Sequence, residues 1–133
     1  MSQPTILYVE DNEYNRKIVR QLLSRTAYRL IEAGDGEEAL AMARSARPDL
    51  VLMDVQLPKL SGLEATRALR RQTETANVPI IVVTSFALSG DDRKAMEAGA
   101  SAYLAKPYSP RELLDLIRKF LPEPVASGEG GMA

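Results

Sequence analysis

The sequence has neither cysteine nor histidine among its 133 residues, and it also lacks tryptophan. Without cysteine, the chain can form no disulfide, thiol nucleophile or thiolate metal site. Without histidine, it can carry no Ser-His-Asp or Cys-His catalytic group and no histidine-ligated zinc ion. Any bound metal must therefore rest on oxygen ligands, which favours a hard cation such as magnesium or calcium.

A strong charge of either sign and long apolar stretches are also absent. The 17 basic and 18 acidic residues leave a formal net charge of −1, which gives no electrostatic case for a nucleic-acid partner. No apolar stretch approaches the roughly 20 residues that span a bilayer, and the N-terminus does not resemble a signal peptide. We therefore expect a cytoplasmic protein with a single core and no membrane partner.

The chain does contain five short β-type runs, each followed by a helical pattern. Strands are predicted at residues 5–9, 28–33, 50–54, 78–84 and 102–105. This alternation predicts an α/β fold of the flavodoxin-like (βα)5 type, a parallel sheet of order 2-1-3-4-5 with helices on both faces. The domain is expected over residues 4–121, and residues 122–133, rich in small residues, are expected to form a disordered tail.

The stretch from Pro48 to Gly62 contains the most informative of these strands. Its apolar run stops abruptly at Asp54, which places a carboxylate at the C-terminal edge of the sheet, where open α/β folds bind ligands. The alternative is that Asp54 merely begins the following turn.

Four other polar residues are predicted at the same edge. Glu10 and Asp11 follow the first strand, Thr84 ends the fourth, and Lys106 follows the fifth. Each is ordinary alone, as a turn acid, a strand-end threonine or a surface lysine. Together, three carboxylates need a counter-charge, which Mg²⁺ can supply while bridging to phosphate oxygens. The combination suits phosphoryl transfer to a carboxylate.

These motifs resemble the receiver domain of two-component response regulators over residues of about 4 to 121. The matching marks are Glu10-Asp11, the apolar strand into Asp54, Leu57-Pro58 with Ser61-Gly62, Thr84-Ser85 and Lys106-Pro107. The form of the first acidic loop is similar to that of single-domain regulators and of receivers in hybrid kinases.

The resemblance implies that Asp54 accepts a phosphoryl group from a phosphohistidine on a histidine kinase or phosphotransfer protein. Mg²⁺ would be bound by Asp11, Asp54 and the backbone carbonyl of Gln56, with Glu10 acting through a water. Lys106 would contact the phosphate.

The resemblance also implies a switch. Thr84 would swing toward the phosphate and let Tyr103 move inward, although Tyr103 could instead be a plain strand residue. The Lys106–Pro107 peptide bond is similar to the family's cis bond. The switching surface would comprise the fourth helix, fifth strand and fifth helix, through which the protein could also form a homodimer.

Gln56 and Phe86 stand where the family tunes access of the hydrolytic water. Both are fairly large, so we expect slow self-dephosphorylation; the alternative is that Phe86 only covers the edge of the site. A cluster of Arg67, Arg70 and Arg71 is most simply the solvated face of the third helix.

The leading hypothesis is a stand-alone response regulator that assists only its own phosphorylation and dephosphorylation. With no output domain expected after Leu121, output would be a protein contact or onward phosphotransfer. One alternative is an unphosphorylated adaptor with the same fold. An Mg²⁺-dependent aspartyl-phosphate phosphatase would need a second acid at the position of Gln56. A flavin-binding module would need a phosphate-binding loop where the acidic first loop lies.

Overall fold

The computed structural model describes residues 3–57, 60–84 and 91–124. The elements run in the order β1 (Thr5–Val9), α1 (Glu13–Leu23), β2 (Arg29–Ala33), α2 (Gly36–Ala46), β3 (Leu50–Asp54), α3 (Gly62–Arg71), a 3-10 turn (Thr73–Thr75), β4 (Ile80–Thr84), α4 (Asp91–Ala98), β5 (Ala102–Ala105) and α5 (Pro110–Phe120). Across these ranges, no helix is both long and apolar enough to cross a bilayer.

The five strands form one sheet in the order β2-β1-β3-β4-β5, and every pairing is parallel. This confirms the predicted flavodoxin-like topology. The connections from β1 lead to one side of the sheet and those from β3 to the other, so the chain reverses between these two neighbours. The carboxyl ends of β1 and β3 therefore border one crevice.

Two apolar layers cover the sheet. On one face, Ala39 and Ala43 of α2 and Leu69 of α3 pack against alternate strand residues. On the other face, Val19 and Leu23 of α1 and Leu113 and Ile117 of α5 do the same. β1, β3 and β4 are buried along their whole length, which is why their sequences are continuous apolar runs rather than alternating ones.

Local signals in the sequence set several of the helix ends. The spacing Ser-x-x-Glu in the sequence predicts a capping box at Ser61 and Glu64 and another at Ser109 and Glu112. Both form, the first at the start of α3 and the second at the start of α5. Gly99 ends α4 with a φ of +112°, the left-handed conformation for which glycine is suited and which the glycine at this place in the sequence predicts. The sequence from Ser89 to Asp92 also predicts a weaker cap for the fourth helix, and Ser89 lies outside the described residues.

Two strands begin later than predicted. β4 begins at Ile80 instead of residue 78, and β2 begins at Arg29 instead of residue 28. Pro79 has no N–H and cannot donate to the ladder; its carbonyl accepts from the N–H of Val51 at 2.9 Å. Val78, which the sequence assigned to the strand, instead follows the 3-10 turn, and its N–H donates to the carbonyl of Thr75 at 3.3 Å. The sequence pattern did not indicate this turn.

The expectation that Arg70 is solvated is wrong. Arg67 and Arg71 are exposed, but Arg70 is half-buried. Its guanidinium donates to the carbonyls of Gly99 at 2.8 Å, Thr75 at 3.1 Å, Ala76 at 3.3 Å and Val78 at 2.6 Å, and to the Ser101 hydroxyl at 3.3 Å. Arg70 thus ties the end of α3 to the turns that precede β4 and β5, and burial lowers its pKa.

The chain continues to make contacts after α5. The Tyr28 hydroxyl donates to the carbonyl of Leu121. The Glu123 carboxylate accepts from the N–H of Ala27 at 2.7 Å and pairs with Arg118 at 3.0 Å. Residues 122–124, assigned to the tail from the sequence, are therefore held against the turn before β2, whereas residues 125–133 of that predicted tail lie outside the described residues.

Candidate functional site

Three carboxylates meet where β1 and β3 end. Val9 pairs with Met53 in the sheet, so the residues that follow, Glu10 and Asp54, leave the two strands side by side. One oxygen from each of Glu10, Asp11 and Asp54 lies within 4.8 Å of the others. Glu10 is 1% exposed and Asp54 6%, whereas Asp11 is exposed. The structure therefore brings together the three acids that the sequence placed at this edge.

A glycine allows α3 to begin directly behind Asp54. A Cβ atom at Gly62 would lie 2.0 Å from the carbonyl oxygen of Asp54, a distance at which no side chain fits. The N–H of Gly62 donates to the carbonyl of Val55 at 2.9 Å, which closes the loop between β3 and α3. The Ser61-Gly62 motif thus shapes the backbone that presents Asp54.

Glu10 is buried but well supplied with donors. The Tyr8 hydroxyl donates to Oε1 at 3.3 Å, and the N–H of Asn12 donates to Oε2 at 3.2 Å. Arg16 donates to the Glu10 carbonyl at 2.8 Å. Burial, followed by the charge of Asp54, raises the pKa of Glu10, while the Asn12 hydrogen bond and Lys106 oppose that rise. A cation placed beside these acids would favour the ionised form.

Lys106 reaches the cluster from the far side of the sheet. Its Nζ lies 3.4 Å from Asp54 Oδ2 and 3.8 Å from Glu10 Oε1. Its backbone N–H donates to the carbonyl of Thr84 at 2.8 Å, and the following bond to Pro107 is cis. The ammonium therefore lies over the carboxylates, where it could also meet an anionic oxygen attached to one of them.

The remaining predicted residues surround this centre. Gln56 is exposed, and its N–H donates to Asp54 Oδ1 at 3.3 Å. Thr84 is fully buried at the end of β4, where it pairs with Ala105. Tyr103 lies on β5 and is 40% exposed. Phe86 lies outside the described residues, so its predicted place beside the site stays a prediction.

Sequence reasoning missed the groups that support the acids. Tyr8 was interpreted only as a β-former in an apolar strand, but it is 3% exposed and its hydroxyl reaches Glu10. Burial, the neighbouring Tyr108 and Glu10 raise the pKa of Tyr8, so its hydroxyl stays protonated and donates. The available signal was the polar hydroxyl itself, because a buried tyrosine requires a hydrogen-bond partner.

A surface cavity opens beside Lys106. It has a volume of about 460 Å³ and is lined by Asn15, Ile18, Lys106, Pro107 and Tyr108. Ile18 is 42% exposed, so an apolar side chain forms part of the cavity wall. The cavity thus leaves the Lys106 side of the site open to the surface.

The donor set fits a hard divalent cation. All three converging side chains offer carboxylate oxygens, the ligands that Mg²⁺ prefers, and Mg²⁺ commonly uses one or two carboxylates and keeps several waters. Two of the acids are buried, and a shared cation would offset their mutual repulsion. Asp11 and Asp54 would bind the ion directly. The Gln56 carbonyl would be a third protein ligand, and Glu10 would act through a metal-bound water.

The fold and this site define a response regulator receiver domain. The family model for that domain matches residues 6–118, which covers most of the chain, and the chain belongs to this family. The assignment agrees with the sheet order and with the acids at the ends of β1 and β3.

Individual relatives cover nearly the whole of the described domain. The polar-differentiation response regulator DivK of Brucella anthropi is 43% identical over 117 residues, which are 88% of this chain and 95% of that protein. The receiver domain of the sensor histidine kinase PA1611 from Pseudomonas aeruginosa superposes with a TM-score of 0.83 at 39% identity, covering 90% of this chain and 98% of that one. That crystal structure has a magnesium ion coordinated in its active-site cleft.

A chemotaxis protein is also structurally close. CheY4 of Vibrio cholerae superposes with a TM-score of 0.84 at 32% identity, and the match covers 90% of this chain and all of that chain. Stand-alone regulators and a kinase-attached receiver are thus all similar to this chain.

Proposed function

We propose that this protein is a phosphorelay response regulator that accepts a phosphoryl group on Asp54 from a histidine kinase or phosphotransfer protein. Membership in the receiver family implies such a donor. In the transfer, an Asp54 carboxylate oxygen forms a bond to phosphorus as the bond from phosphorus to the donor imidazole nitrogen breaks. The nitrogen keeps the electron pair of the broken bond.

The chain's own groups would position this reaction and balance its charge. The Gln56 N–H holds one oxygen of Asp54, and Lys106 faces the other. Lys106 would then pair with a phosphoryl oxygen, and the Thr84 hydroxyl would donate to another. Mg²⁺ bound by Asp11 and Asp54 would supply Lewis-acid neutralisation of the phosphoryl oxygens.

The donor would approach through the cavity beside Lys106. Its lining includes the exposed apolar side chain of Ile18 and the half-buried ring of Tyr108, a surface suited to packing against a partner helix. Such packing would bring a phosphohistidine toward Asp54 from the side on which the ammonium lies.

The protein would pass on its signal through the surface on the opposite side of Lys106. Tyr103 on β5 is exposed and lies two residues before Ala105, the partner of Thr84 in the sheet. A Thr84 movement toward the phosphoryl group would make room for Tyr103 to turn inward. That rearrangement would alter the surface formed by α4, β5 and α5, through which the protein would contact a downstream protein, a second copy, or the next phosphoryl carrier. On this proposal the chain assists only its own phosphorylation and dephosphorylation.

One observation carries the proposal: the Asp54 carboxylate ends β3 within 4.8 Å of two other acids and 3.4 Å from the Lys106 ammonium. The test is incubation with Mg²⁺ and a small acyl-phosphate donor, followed by intact mass measurement. We expect one phosphoryl increment on the parent, none on Asp54→Asn, and none on the parent in excess chelator.

Asp115→Asn is the matched control, since it makes the same chemical change on the exposed face of α5. It should be labelled like the parent. Labelling of Asp54→Asn at the parental level would overturn the assignment of Asp54. A parent that takes up no phosphoryl group would favour the unphosphorylated adaptor instead.

A further inference from the structure

We propose that Tyr8 is a positioning residue for the metal site, because its buried hydroxyl fixes the orientation of the Glu10 carboxylate. This inference rests on the proposed function, since it concerns the same Mg²⁺ site. Tyr8 would not touch the ion; it would act through Glu10.

The geometry of β1 brings the two side chains together. Residues two apart in a strand lie on the same face of a sheet, so Tyr8 and Glu10 point the same way. The tyrosine ring is buried between α1 and α5, packed in the same apolar layer as Val19 and Ile117. Its hydroxyl extends to Glu10 Oε1 at 3.3 Å.

The hydroxyl is placed to choose a single orientation for Glu10. Oε2 is held by the N–H of Asn12 at 3.2 Å, while Oε1 faces both the Tyr8 hydroxyl and, at 3.8 Å, Lys106 Nζ. Without the tyrosine donor, that oxygen would depend more on Lys106, and Lys106 is the group proposed to pair with the phosphoryl oxygens. The Tyr8 hydroxyl thus keeps Glu10 aligned when the ammonium turns to the phosphate.

A hydrogen bond that fixes the carboxylate matters more for a glutamate than for an aspartate. Its side chain is one methylene longer than that of aspartate, so its carboxylate can rotate further about an extra bond. The hydrogen bond from the Tyr8 hydroxyl restricts that rotation. Outer-shell donors of this kind affect metal affinity although they do not touch the ion.

The test is an Mg²⁺ titration followed by amide chemical shifts, which suits weak binding and reports folding in the same spectra. Tyr8→Phe keeps the buried ring and removes only the hydroxyl. We expect its Mg²⁺ dissociation constant to rise about tenfold over the parent. Tyr28→Phe is the matched control: its hydroxyl is also buried and donates to Leu121, but at the other end of the molecule. It should leave the Mg²⁺ dissociation constant unchanged.

A double-mutant cycle separates positioning from general destabilisation. If Tyr8 acts through Glu10, Tyr8→Phe should change Mg²⁺ affinity less than about twofold in a Glu10→Gln background. Equal affinity of Tyr8→Phe and the parent, or the same tenfold loss in the Glu10→Gln background, would overturn the inference and leave the proposed function standing. A parent that binds no Mg²⁺ would overturn both.

Discussion

Asp54 and Glu10 show how two buried carboxylates on neighbouring strands come to differ. Each oxygen of Glu10 has a neutral donor, from Tyr8 or from the backbone of Asn12, so this acid is fixed in place. Asp54 has one backbone donor and one ammonium, and the flexible four-carbon stem of a lysine lets its ammonium turn toward a new anionic group. These surroundings accord with the supporting role proposed for Glu10 and with the phosphoryl-accepting role proposed for Asp54.

Arg47 lies outside the site, and its backbone is strained. Arg47 ends α2 with a φ of +48°, a left-handed conformation that costs a non-glycine residue about 1–2 kcal/mol. Its side chain is exposed. We expect Arg47→Gly to stabilise the protein by about 0.5–1 kcal/mol in urea unfolding, after the extra freedom of glycine in the unfolded chain is deducted.

Arg44→Gly provides the comparison for that change. It removes the same side chain from the same helix, but at a helical position in its last turn, where glycine costs about 1 kcal/mol. The two variants should therefore move the unfolding midpoint in opposite directions. A loss of stability in Arg47→Gly would show that its side chain contributes more than its backbone strain costs.

At the scale of elements, much of the arrangement could be predicted because its causes are local. Continuous apolar runs indicated buried parallel strands, and Ser61 with Glu64 and Ser109 with Glu112 indicated two helix starts. Both depend on residues close together in the chain. The alternation of strands and helices then left few topologies to consider, which is why the acids could be placed at one edge.

What could not be predicted depends on groups distant in sequence. Most hydrogen-bond partners of Arg70 are backbone carbonyls, of which that of Gly99 is the most distant at 29 residues away, and a carbonyl has no signature in a sequence. Glu123 likewise resembled the start of a flexible tail until the fold brought the Ala27 N–H to it. In both cases a charged side chain takes backbone partners that nothing in the sequence pattern indicates.

The contacts of Arg70 with the turns before β4 and β5 should contribute measurably to the stability of the fold. We expect Arg70→Met to lose about 2–3 kcal/mol of unfolding free energy, since it leaves half-buried carbonyls of Thr75, Val78 and Gly99 without their donor. Arg71→Met, at an exposed neighbouring position, should stay within about 0.5 kcal/mol of the parent. Equal effects of the two substitutions in urea unfolding would show that the guanidinium contacts add little.

At the scale of the whole molecule, the site works against the stability of the fold that carries it. The sheet places three carboxylates within 4.8 Å of one another, two of them buried, and their repulsion is present whenever no cation is bound. A ligand that binds only the folded state adds stability in proportion to the logarithm of its concentration over its dissociation constant. On the proposed function, metal binding and folding would therefore be linked through the same three side chains.

This linkage predicts that removing a carboxylate should strengthen the metal-free protein. We expect Asp54→Asn to unfold at a higher temperature than the parent in chelator, by a few degrees for roughly 1 kcal/mol of relieved repulsion. Added Mg²⁺ should raise the parent's midpoint progressively and the variant's much less, because Asp54 is one of the proposed ligands.

Asp115→Asn, with its exposed carboxylate on α5, should respond to Mg²⁺ as the parent does. Thermal unfolding of the three proteins across a series of Mg²⁺ concentrations makes the comparison, and an Asp54→Asn variant less stable than the parent in chelator would mean that the Lys106 ion pair outweighs the repulsion among the acids.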